Sequence, residues 1–103
     1  MKMYRQGDVL LCAVKGIPKA AKKQETENRI VLAYGEVTGH AHVIEDLEAV
    51  DVFVGPEGQL YLQVKEETPL THEEHGTILI PPGRYERIIQ REYTPEAIRN
   101  VQD

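Results

Sequence analysis

The sequence predicts a mainly β fold: a small barrel or sandwich, one β-rich domain over residues 1–103, ending in a short helix. Three observations carry this. Apolar and polar residues alternate with period two over 50–54 and again over 60–65. Turn residues separate one short apolar segment from the next along most of the chain. Helix-start signals occur together only near the C-terminus.

In chain order, Gly7 and Asp8 open an apolar run, Val9 to Val14, that reads as a buried strand. Residues 15–28 contain Gly16, Pro18 and four lysines with few apolar residues, so a mobile surface loop is expected. The β-branched and aromatic character of 29–34 gives a second strand, ending at Gly35. A turn closing at Gly39 then leads into His40-Ala41-His42-Val43-Ile44.

Val50, Val52 and Val54 form one face of a strand, and Leu60, Leu62 and Val64 one face of the next. Gly55-Pro56-Glu57-Gly58 lies between them, so a hairpin follows. Residues 66–76 are polar. Thr77 to Ile80 makes a short strand stopped by Pro81-Pro82-Gly83, and 84–93 makes the last. Thr94 as N-cap, Pro95 at the first helical position and Glu96 in the first turn predict a helix over about 95–101. Its Ile98 and Val101 would share one face for docking on the sheet or a second subunit. The count is about seven strands, the pattern of a barrel or sandwich.

Composition narrows the function. The 103 residues include 12 Lys and Arg against 17 Asp and Glu, a net charge of −5, which argues against a nucleic-acid partner. The six-residue apolar run at Val9 is far too short to span a bilayer, so a cytoplasmic chain with no membrane role is expected. Cys12 is the only cysteine, which removes internal disulfides and any zinc site needing two thiolates. It reads as a small core residue.

The functional signal is histidine placement. All four histidines fall in two windows, His40/His42 and His72/His75, although core building does not require them to cluster. On an extended chain His40 and His42 project to one side and could share an ion. His72 and His75 do so only on a turn or tight loop, which Pro69 and Gly76 make plausible. These four are the candidate metal ligands, for a divalent transition metal such as zinc, iron or nickel. Glu74 and Glu73 are the candidate catalytic bases. The competing reading is four polar loop histidines paired with neighbouring carboxylates. A further one has two histidines acting as acid and base on a phosphodiester, since His75-Gly76-Thr77-Ile78 has the form of a two-histidine phosphoesterase motif. Gln6-Gly7-Asp8 could be a functional loop, with an Asp beside a flexible Gly reaching a pocket, but an Asp entering a strand reads more readily as a turn former.

Two resemblances stand beside this. Gly35, His40, His42 and Glu45, followed by Pro81-Pro82-Gly83, resemble shortened cupin signatures. The resemblance implies a cupin-like barrel with His40, His42 and Glu45 as ligands and a last ligand from His72 or His75. Arg5-Gln6-Gly7-Asp8, the stretch GEVTGHAH over 35–42, HEEHG over 72–76 and Pro81-Pro82-Gly83-x-Tyr85 resemble a group of small uncharacterised bacterial and phage proteins. The expectation is a small metal-binding protein that, as a metal-dependent enzyme, would use the histidine cluster on a small-molecule substrate. The alternative is a non-enzymatic homo-oligomeric assembly module using its strand edges.

Overall fold

The computed structural model describes residues 2–34 and 40–89. Ten strands follow one another: β1 (Met3–Gln6), β2 (Val9–Ala13), β3 (Lys22–Gln24), β4 (Ile30–Tyr34), β5 (Ala41–Ile44), β6 (Val50–Val54), β7 (Leu60–Val64), β8 (Thr68–Leu70), β9 (Ile78–Ile80) and β10 (Gly83–Ile89). Six of them form one antiparallel sheet in the order β1-β2-β10-β7-β6-β3. The ribbons β4-β5 and β8-β9 are separate sheets, linked by a bridge in which Val43 and Thr71 exchange two backbone hydrogen bonds of 2.9 Å.

The mainly β expectation holds, and the described residues contain no helix. Among the described residues the sheets do not close into a barrel: β1 and β3 end the six-stranded sheet as edges. The helix expected at 95–101, the last part of the strand expected at 84–93 and the turn at 35–39 lie outside the described residues. No described helix is long and apolar enough to cross a membrane.

The alternating segments behave as their pattern requires. Val50 pairs with Val64, Val52 with Leu62 and Val54 with Leu60, so both apolar faces point the same way. Val9 and Leu11 of β2 and Tyr85 of β10 extend this face. Ile30, Leu32, Ile44, Leu70 and Ile80 of the two ribbons complete the same buried cluster. At about 25 cal/mol per Å² of apolar surface removed from water, this shared core is the main stabilising term. Cys12 is not part of it: pairing opposite Met3 and Glu86, it is only half-buried.

Three strands were not expected. β1 is polar in sequence, but Gln6 pairs with Val9 across a two-residue turn whose first residue, Gly7, has φ 60°, as a tight hairpin needs. β3 lies within the segment expected to be a mobile loop. It pairs with β6, where Asp51 lies 3.6 Å from Lys23 Nζ and 3.4 Å from Lys65 Nζ. β8 tolerates Pro69 because its two neighbours are buried while the proline is exposed.

Candidate functional site

The hairpin turn after β1, the start of β5 and the loop from β8 to β9 meet, and their meeting brings histidines from both windows together. The rings of His42 and His72 are 4.4 Å apart between centroids, those of His72 and His75 4.6 Å, and those of His42 and His75 5.9 Å. His40 touches only the margin of this group, its ring 5.7 Å from that of His72. β5 begins at Ala41, so His40 precedes the strand, and the one-sided projection expected for His40 and His42 does not apply.

His42 is buried, and Gln6 explains how. The Gln6 amide nitrogen donates to Leu70 O at 2.8 Å and to Gly76 O at 3.0 Å, which occupies both of its hydrogens. Its oxygen therefore faces His42, and Nδ1 of His42 donates to it at 2.9 Å. The proton of neutral His42 is fixed on Nδ1 and its lone pair on Nε2. Nε2 lies 3.3 Å from Asp8 Oδ1. Burial, followed by the charges of His72, holds His42 below the ordinary histidine pKa, although Asp8 pulls upward.

Gly7 is the floor of the cluster. A Cβ placed on it would stand 2.6 Å from His75 Nε2 and 3.2 Å from His42 Cε1, so the two rings approach the turn as closely as a bare backbone permits.

The second window folds as the tight turn that its spacing requires. His72 Nδ1 accepts the backbone N–H groups of Glu74 at 3.0 Å and His75 at 3.3 Å. That nitrogen is spent on shaping the loop, and the His72 proton belongs on Nε2. The two candidate bases part company. Glu73 accepts the Ala41 N–H at 2.9 Å, and this bond is the main reason its carboxyl lies below its ordinary pKa. Glu74 lies 2.8 Å from His40 Nδ1, at the exposed rim.

Glu45, a ligand in the cupin resemblance, is exposed just beyond β5. The carboxylates at the rings are instead Asp8 and Glu74. Among the described residues, no three His, Cys, Asp or Glu side chains are arranged to hold a metal ion as they stand. Sequence reasoning considered Gln6-Gly7-Asp8 as a functional loop but favoured a turn, and so left Gln6 and Asp8 out of the site. Their signal was a polar pair flanking a glycine at the head of an apolar strand, which reads equally as a turn.

No curated protein and no solved structure matches the chain. A family model does, over residues 5–90, a span that includes the Gln6-Gly7-Asp8 turn, both histidine windows and the Pro-Gly turn. The chain belongs to the family described as a domain of unknown function, DUF8820.

Proposed function

We propose that this cluster binds a divalent transition metal through His42 Nε2, the Asp8 carboxylate and His75, with His72 and His40 around them. The observation that carries the reading is the His42–Asp8 pair. With its proton fixed on Nδ1, neutral His42 turns a lone pair toward a carboxylate oxygen. Such a face is repulsive unless a second proton or a cation lies in it. Burial and the neighbouring imidazoles work against the proton. A cation fits the spacing: two ligands at the usual zinc distances, about 2.0–2.1 Å, with a tetrahedral angle between them stand about 3.3 Å apart. The observed N···O separation is 3.3 Å, longer than a charge-assisted hydrogen bond of about 2.7–2.9 Å.

Ring spacing supports the third ligand. Imidazoles sharing a tetrahedral ion have centroids about 5 Å apart, and the His42, His72 and His75 rings span 4.4 to 5.9 Å. What the arrangement lacks is aim, since His75 lies parallel to His42 within 16° and must turn about its side-chain bonds to direct a nitrogen at the same point. Its place over the bare Gly7 backbone leaves His75 beside the Asp8 turn.

A divalent ion with a free position would supply Lewis acidity and an activated water for a small oxygen-bearing substrate, making the protein a metal-dependent enzyme. His40 and Glu74 are then the groups that move a proton. With Nδ1–H donating to Glu74, neutral His40 keeps a lone pair on Nε2 at the rim. A cupin-like outline agrees only in drawing a ligand, His42, from the HxH segment, with Asp8 in place of Glu45.

The test is metal content and calorimetric titration of tag-free protein with Zn²⁺, Ni²⁺ and anaerobic Fe²⁺. The expected result is a single chelator-removable equivalent that raises the melting temperature. His42→Ala and Asp8→Ala should abolish it, and His40→Ala should leave it within a few-fold. Absence of saturable binding for all three metals would overturn the reading.

One observation favours the assembly reading: among the described strands β1 ends the sheet, and it carries Met3 at 60% exposure. A concentration-independent dimer by light scattering that Met3→Lys dissociates would support it. The two-histidine phosphoesterase, which would pair His75 with His40 and put His42 in place of a Thr or Ser, has less support, since His40 stands at the margin of the cluster with its ring beside that of His72.

A further inference from the structure

We infer that Gln6 is the positioning residue of the histidine site: a single amide sets the proton of His42 and closes the base of the loop that bears His72 and His75. The second half is carried by where its two hydrogens go. Leu70 is the last residue of β8, and Gly76 directly follows His75, so their carbonyls bracket residues 71–75. One NH₂ group ties both ends of that loop to β1. Gln6 is 3% exposed, so water does not readily replace these bonds if they are lost.

The two halves depend on each other. The amide oxygen can face His42 only while the nitrogen is held by the two carbonyls, because a rotated amide would set its oxygen against both. A loop in place therefore dictates the His42 tautomer, and a loop displaced releases it. Freed from this bond, a neutral histidine favours the Nε2–H form, which would turn a donor toward Asp8 and close the nitrogen to an ion. Gln6 thus couples the second histidine window to the chemical state of the first, although the two never share a strand.

No close analogue performs both tasks. Glutamate keeps the acceptor for His42 Nδ1 but sets a carboxylate against two carbonyls. Methionine keeps the length and supplies neither.

The inference rests on the metal reading only in its last readout. The test begins with ring ¹⁵N NMR of the chelator-treated wild type above the histidine titration range. His42 is expected to show a protonated Nδ1 and a bare Nε2. In Gln6→Met the proton should shift toward Nε2, and amide hydrogen exchange in residues 71–76 should accelerate. In Gln6→Glu the Nδ1 proton should persist while the loop still loosens. Zn²⁺ affinity of Gln6→Met should fall by about 10–100-fold, as for loss of a partner behind a ligating histidine.

A wild-type His42 protonated on Nε2 would overturn the inference, and this measurement needs no variant to fold. So would a Gln6→Met protein with unchanged tautomer and unchanged loop protection. If tautomer and loop respond as expected but wild type binds no metal, the metal reading fails and the positioning role stands.

Discussion

His42 and His40 are two residues apart, yet one is almost wholly buried and the other stands at the rim. His42 is held by Gln6 on one nitrogen and faces Asp8 with the other, both contacts from the first hairpin. His40 meets Glu74, a side chain of the second window that is 61% exposed. The difference shows that an HxH motif does not by itself make two equivalent ligands. Each ring takes its chemistry from the element that covers it, and of the two only His42 is covered by a buried side chain, Gln6, that is itself hydrogen-bonded on both sides.

The sharpest way to break this contrast is at the buried pole. His42→Ala strands the Gln6 oxygen in the interior, a cost of about 1–3 kcal/mol in unfolding free energy. His40→Ala, which loses only a rim pair, should cost under about 1 kcal/mol by the same urea titration. Equal losses for the two would contradict the division.

Next in size is Gly7→Ala, which imposes a left-handed conformation on alanine at about 1–2 kcal/mol and drives a methyl group into His75. Its distinguishing result is altered His75 and His42 ring resonances while those of His40 stay unchanged.

pH should separate the poles more gently. Because the folded pKa of His42 lies below the ordinary 6.5, the unfolded chain binds its proton more readily. Its contribution to stability is therefore complete above the unfolded value and is lost as pH falls through the folded one. In metal-free protein the urea midpoint should drop on acidification through that window, and His42→Ala should flatten the drop. The smallest expected effect is that of Glu74→Gln, which should leave the melting temperature nearly unchanged while moving the ring ¹⁵N resonances of His40 in the NMR spectrum.

The parts of the fold readable from the sequence are those whose neighbours in space are also neighbours in the chain. The β6-β7 hairpin is the clearest, since three valines and an alternating Leu-Leu-Val set meet across a turn rich in glycine. β8 escaped because Pro69 argues against a strand unless its position within a short two-stranded ribbon is known. β3 escaped because lysines near Asp51, rather than apolar burial, accompany its pairing. The gathering of the histidines was legible from their clustering alone. The roles of Gln6 and Asp8 were not, because nothing local distinguishes a glutamine that spans to Leu70 and Gly76 from one that faces water. Glu73 and Glu74 could not be told apart for the same reason: one meets a backbone amide 32 positions away and the other a ring 34 positions away.

The separation between Gln6 and Gly76 also sets a timetable. Seventy positions lie between the two ends of that hydrogen bond. At a synthesis rate of about 5–20 residues per second, roughly 4–14 s pass between the emergence of one end and that of the other. Throughout that interval the segment that bonds the Gln6 amide is still missing, so by the coupling inferred above His42 would take its settled tautomer only after β6 and β7 have had time to pair. Under the metal reading, an ion captured earlier would meet imidazoles not yet held by Gln6, so loading would be a late event in the birth of the molecule.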